Sequence, residues 1–169
     1  MSKLQEPFRY DYVGSFLRTE ELKKATTQYN ENKITKEVYD NIVNEEIAKL
    51  VAKQKELGYH VITDGEFRRT YWHLDFMWGF KGVAHKKTEK GVAFSSEAAL
   101  IDDTWLTGKI SGENHPFVEH FKFVKNLEDE NTVAKQTIPA PAQFFQQMVI
   151  PTNIETCLLY TSPSPRDPK

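Results

Sequence analysis

Two short stretches carry residues suited to meeting charge. Asp64-Gly65-Glu66 is followed at once by Arg68 and Arg69, and Gly14-Ser15 lies near the start of the chain. In α/β proteins ligands bind outside the carboxyl ends of strands, so carboxylates just after a strand are candidates for a site. Gly14-Ser15 offers backbone N–H groups and a hydroxyl to an anion, because glycine lets a ligand approach the main chain closely. Each stretch also has a plainer reading. Asp64 can cap the next helix, Glu66 can sit in a structural ion pair, and Gly14-Ser15 can be a simple turn, since structural pairs also gather charge. An aromatic run follows: Tyr71, Trp72, Phe76, Trp78 and Phe80. Positions 72, 76 and 80 have helical spacing, which marks core more often than a ligand platform.

The elements that must position these residues are legible in turn. Tyr59 to Thr63 is apolar and β-rich, and Gly58 closes the helix before it. Tyr12 to Phe16 is an earlier strand candidate. Thr19 reads as an N-cap with Glu20 and Glu21 in the first turn, predicting a helix to about Tyr29. Thr35 caps a longer helix ending at Leu57, with Val38, Ile42, Val43, Ile47, Leu50, Val51 and Leu57 along one stripe. Lys81 to Gly112 is rich in glycine and charge, with β-like pieces at Val92–Phe94 and Thr104–Ile110. It reads as an irregular hairpin excursion that can serve as a lid. Pro116 opens a helix to about Leu127. Val133 to Ile138 is a third strand stopped by Pro139-Ala140-Pro141, and a short helix from Ala142 to Met148 follows. Strands connected through helices indicate an α/β architecture.

Composition bounds what such a chain does. Of 169 residues, 39% are hydrophobic and 27% charged, which is the profile of a soluble globular protein with a sizeable core. A net charge of −2 gives no electrostatic case for nucleic acid or an anionic membrane surface. No apolar run approaches the roughly 20 residues that span a bilayer, and the first residues lack the apolar segment of a signal peptide. A single cysteine excludes an internal disulfide framework, so a reducing cytoplasm is the expected location. From Cys157 onward the chain is a Pro/Ser-rich tail without periodicity, and it resembles a translated sequencing adapter. The expected organisation is therefore residues 1–156 as one folded portion and 157–169 as a non-native tail.

Val13-Gly14-Ser15 taken with Asp64-Gly65-Glu66-Phe67-Arg68-Arg69, Trp72, Asp75-Phe76 and Gly82 resembles the cobalamin-independent methionine synthase family. The resemblance is nearest to its short single-barrel members, which match that enzyme's catalytic domain. It runs from about Phe8 to Glu155 and takes in Phe121-Lys122-Phe123-Val124-Lys125 and Thr137-Ile138-Pro139-Ala140-Pro141. It implies the N-terminal part of a (β/α)8 TIM barrel, incomplete here, with a β-hairpin inserted after the second strand. It also implies a zinc-dependent transfer of a methyl group from 5-methyltetrahydrofolate (polyglutamate) to homocysteine, forming methionine.

By the same resemblance, Ser15 with Gly14 and Val13 holds the amino acid's carboxylate, and Glu66 holds its ammonium. Tyr12, Asp64 and Trp72 are further candidate pocket residues, and Trp72 with Trp78 are candidates for the donor side. Tyr12 departs from the family, where a histidine commonly precedes Val-Gly-Ser. The family's zinc is held by His, Cys and Glu residues from later strands, so no metal ligand is assigned here. The chain's five histidines form no pair at ligand spacing. His73 reads as a surface helix residue and His115 as a loop residue. Such a chain is expected to carry the homocysteine-binding half of the site and to be inactive alone. The alternatives are a uroporphyrinogen decarboxylase-like or corrinoid/thiol methyltransferase barrel, or a non-catalytic fragment.

Overall fold

The computed structural model describes residues 13–86, 92–94, 97–99 and 102–150. Tyr12 and the tail from Cys157 lie outside the described residues. The elements in chain order are α1 Glu20–Asn30, α2 Lys36–Glu56, β1 Val61–Ile62, α3 Leu74–Trp78, β2 Lys81–Lys86, β3 Val92–Phe94, β4 Glu97–Ala99, β5 Asp103–Ser111, α4 Pro116–Lys125, β6 Val133–Ala134, α5 Pro141–Gln147 and β7 Met148–Val149. The chain is mixed α/β and divides into two units, residues 1–75 with 114–138 and residues 76–113 with 139–169. No helix among the described residues is long and apolar enough to cross a membrane.

The first unit is built on the two long helices. Thr19 and Thr35 are the N-caps expected of them: Thr19 Oγ1 accepts from Leu22 N at 3.2 Å and Thr35 Oγ1 from Val38 N at 3.3 Å. Thr19 also donates to Glu46 Oε2 of α2 at 2.6 Å, so one hydroxyl both starts α1 and fixes it to its neighbour. The Lys49 and Thr19 hydrogen bonds together hold the Glu46 carboxyl below its usual pKa. From the stripe of α2, Val43, Ile47 and Val51 are buried with Leu22, Ile62, Phe67 and Val124, whereas Val38 and Leu57 at its ends are exposed. Burying one such side chain contributes about 1.5–3 kcal/mol. Tyr59 N bonds Gln54 O at 3.1 Å and Gly58 N bonds Lys55 O at 2.9 Å, closing α2 where the glycine predicted it.

β1 and β6 pair in parallel, Val61 against Val133 and Ile62 against Ala134. Both strands are shorter than the sequence suggests. Residues 13–16, expected to form a strand with Tyr12, form none: Gly14 takes a φ of +94°, which breaks an extended run. Phe16 N instead reaches Gly65 O at 3.0 Å. His115 lies outside the helix, as expected, and serves as the buried N-cap of α4, with Nδ1 accepting from Phe117 N at 3.2 Å.

In the second unit, β2 pairs antiparallel with β5, and β5 pairs in parallel with β7. The register slips between Lys81 and Val83. Gly82 sits there at φ +79°, where a Cβ would stand 2.4 Å from Lys109 O, so a larger residue cannot be accommodated without displacing backbone. Trp78 Nε1 donates to Thr104 Oγ1 at 2.9 Å, and its ring stacks on His85, which pairs with Asp102 at 2.6 Å. β3 and β4 form a separate antiparallel pair. Of the aromatic run, Phe76 and Phe80 meet edge to face with centroids 5.2 Å apart, but the helix there spans only the five residues of α3.

Candidate functional site

The site begins where β1 ends. Gln54, on α2 and 2% exposed, faces Thr63 and satisfies both of its backbone groups: Gln54 Nε2 donates to Thr63 O and Gln54 Oε1 accepts from Thr63 N, each at 2.9 Å. The chain then turns sharply. Thr63 Oγ1 accepts from Gly65 N at 3.1 Å, and Asp64 Oδ1 accepts from Glu66 N at 2.9 Å. Asp64 caps no helix, contrary to its plainer reading, because the next helix begins only at Leu74; its side chain instead closes its own turn.

Gly65 and Glu66 both take left-handed φ values, +63° and +59°. A Cβ on Gly65 would lie 2.4 Å from Leu50 Cδ2 and 3.2 Å from Phe16 Cβ, so glycine is required by space as well as by conformation. For Glu66 the conformation costs of order 1–3 kcal/mol. It is held by its surroundings: Glu66 O accepts from Arg69 N at 3.0 Å and from Arg18 Nη2 at 3.3 Å, and Arg18 Nη2 also reaches Arg69 O at 2.5 Å.

This turn brings the Glu66 carboxylate, in a residue only 4% exposed, among three partners. Ser15 Oγ donates to Oε2 at 2.8 Å, Thr137 Oγ1 donates to Oε1 at 2.8 Å, and Arg69 Nη1 stands 3.3 Å from Oε1. The Arg69 guanidinium is fixed in turn. It donates to Thr137 O at 2.6 Å and Trp72 O at 3.1 Å, and it lies over the Phe117 ring at 4.7 Å. A buried carboxylate needs such pairing, because an isolated buried charge is heavily penalised. Glu66 follows β1 and Thr137 follows β6, so two parallel strands deliver the cluster at their carboxyl ends, the position where α/β folds place ligands.

Behind the cluster, burial holds the Arg68 guanidinium below its ordinary pKa, opposed by Asp64 and Asp40. Arg68 bonds Asn44 Oδ1 and lies 5.3 Å from the Phe123 ring centroid. Burial, with Arg68 and Arg69 nearby, lowers His120 to about 4. His73, expected on a helix surface, precedes α3 and is half-buried, which lowers its pKa.

Of the residues singled out from sequence, Ser15 and Glu66 are brought into contact, and Asp64 supports them through the turn. Gly14 precedes Ser15 in left-handed conformation and Val13 is 91% exposed. Trp72 joins only through its carbonyl, with its ring half exposed and tilted against His73. Thr137, Arg18 and Gln54 were not anticipated. Thr137 was within reach, because it stands at the end of a predicted strand just before Pro139, where the rule that selected Glu66 applies equally. Arg18 and Gln54 carry no local signal. Among the described residues no group of three or more His, Cys, Asp or Glu could hold a metal ion.

Comparison with known proteins places this geometry in context. Residues 10–135 match the model of the cobalamin-independent synthase catalytic domain. The chain is 39% identical over 145 residues to YxjG, an uncharacterised protein of Bacillus subtilis, covering 86% of this chain and 38% of that one. It is 40% identical over 127 residues to a 5-methyltetrahydropteroyltriglutamate–homocysteine methyltransferase of a Thermotoga species, covering 75% of this chain and 17% of the other. Among solved structures, it is similar to a Listeria monocytogenes protein provisionally called a vitamin-B12-independent methionine synthase. The TM-score there is 0.70 at 41% identity, over 86% of this chain and 40% of the other. The chain thus spans well under half the length of these relatives.

Proposed function

The chain belongs to the cobalamin-independent synthase catalytic-domain family, and on that premise we propose that it carries the amino-acid-binding half of a thiol methyltransferase. In this reading the whole protein moves a methyl group from 5-methyltetrahydrofolate (polyglutamate) to homocysteine, forming methionine. The fold is then the first part of a (β/α)8 barrel, with β2 to β5 as the hairpin after the second barrel strand. The parallel pairing of β1 with β6 and the likeness to the Listeria structure support that.

The observation that carries the proposal is the Ser15–Glu66 contact at 2.8 Å. A free α-amino acid presents a carboxylate and an ammonium on one carbon. Ser15 Oγ is a donor on an exposed residue, fit for the carboxylate, and Glu66 is an anion fit for the ammonium. Their side chains already meet, so both ends of one small zwitterion lie within their joint reach. Asp64 and Arg69 are buried and engaged within the chain, which disfavours a porphyrinogen, whose carboxylates call for an open group of arginines.

Homocysteine sulfur must be ionised to attack a methyl donor, and a free thiol with pKa about 8.5 is mostly protonated at neutral pH. Zinc supplies the thiolate in this family, but the described residues do not fit a zinc site. This chain's own contribution is to bind and orient the amino-acid end. Titrating L-homocysteine into the protein while following backbone amides by NMR tests the reading. Saturable shifts at Gly14, Ser15 and Glu66 are expected, and an unchanged spectrum at those amides contradicts it.

A further inference from the structure

The two oxygens of Glu66 are not equivalent. A carboxylate oxygen accepts about two hydrogen bonds. Oε1 already has two donors, Thr137 Oγ1 at 2.8 Å and Arg69 Nη1 at 3.3 Å. Oε2 has one hydrogen bond among the described residues, from Ser15 Oγ at 2.8 Å. The Oε1 side is also the rigid side. Arg69 is 5% exposed and anchored to the carbonyls of Thr137 and Trp72, and Thr137 lies three residues beyond the end of β6 at Ala134. The Oε2 side faces Ser15, which is exposed on a segment outside any helix or strand.

The geometry points to Thr137 and Arg69 as a positioning pair that fills one oxygen of Glu66, fixes the carboxylate plane, and presents the other oxygen to the ligand's ammonium. This rests on the homocysteine reading above and deepens it. The two residues act through Glu66 and do not touch the ligand. Arg69 does not compete for Oε2, because its remaining bonds go to carbonyls. On binding, the Ser15 hydroxyl turns its single proton from Oε2 to the ligand's carboxylate and the ammonium takes its place on Oε2, which sets the two ends of the ligand side by side. Without the Thr137 hydroxyl, Oε1 has an open position, the carboxylate can rotate, and recognition of the amine weakens while recognition of the carboxylate does not.

The test uses two probes, L-homocysteine and 4-mercaptobutanoate, which is the same molecule without its amine, titrated into wild type and variants by NMR. Thr137→Val removes the hydroxyl at nearly constant shape. It is expected to weaken L-homocysteine about tenfold and to leave 4-mercaptobutanoate unchanged, with Thr137→Ser restoring wild-type behaviour. Thr137→Ala serves if the valine variant does not fold, as judged by its thermal melt. Equal loss for both probes, or no loss for either, overturns the positioning role while leaving the homocysteine reading intact. Failure of wild type to bind L-homocysteine overturns both.

Discussion

Ser15 Oγ donates to Glu66 Oε2 at 2.8 Å, joining an exposed residue to a 4% exposed one across 51 positions of sequence. The two sides of this contact have unequal roles in stability. Glu66 is the counter-ion of buried Arg69, whereas the Ser15 side chain, among the described residues, bonds Glu66 alone. Ser15→Ala removes the one described hydrogen bond to Oε2 and is expected to cost about 1 kcal/mol. Glu66→Ala leaves a guanidinium buried without its anion and is expected to destabilise by about 3 kcal/mol or more. Thermal or urea unfolding of the two variants checks the asymmetry.

Gly65→Ala tests the turn that aims Glu66. The new methyl would lie 2.4 Å from Leu50 Cδ2 at a φ of +63°. Strain and repacking together predict a loss of about 2–3 kcal/mol. A urea midpoint unchanged from wild type would contradict this account of the turn.

Gln54→Leu tests the clamp on Thr63. Leucine keeps the volume but leaves a buried N–H and a buried carbonyl unpaired. The expected loss is about 3 kcal/mol, seen as a lower urea midpoint at unchanged slope. A smaller loss than that of an ordinary surface substitution would show that other groups take over the two bonds.

His120 makes stability depend on pH. Its pKa is lowered from 6.5 to about 4, first by burial and then by Arg68 and Arg69. Between those values the unfolded chain binds a proton that the folded chain refuses, so stability rises with pH through that window and this contribution is level above it. His120→Gln is expected to flatten that part of the curve. Unfolding midpoints at about pH 7 and about pH 4.5 for both proteins measure the difference, and parallel curves would exclude His120 as the cause.

The legible parts of this chain were those governed by local rules. Thr19 and Thr35 announce α1 and α2, Gly58 ends α2, and Pro116 opens α4, because each satisfies backbone groups from its own side chain or conformation. The strands were less legible. Val133–Ile138 reads as six residues of strand, yet only Val133 and Ala134 pair, since their partner β1 is itself two residues long. The site was read in half. Ser15 and Glu66 could be named because residue type and family motif coincide there. Thr137 stands at the end of a predicted strand and was legible by the rule that picks out Glu66, whereas Arg18 and Gln54 reach Glu66 or its turn through the tertiary fold alone, and nothing in their neighbouring residues marks them.

The central claim is that one amino acid is gripped by its carboxylate at Ser15 and by its ammonium at Glu66. It is tested most directly by measuring L-homocysteine against its deamino analogue 4-mercaptobutanoate and its decarboxy analogue 3-aminopropane-1-thiol, for Ser15→Ala and Glu66→Gln. The account predicts a crossed pattern. Ser15→Ala weakens the two carboxylate-bearing ligands about tenfold and spares the aminothiol, and Glu66→Gln weakens the two amine-bearing ligands and spares the mercapto acid. Affinities that fall equally for all three ligands in both variants, or do not fall at all, would contradict it.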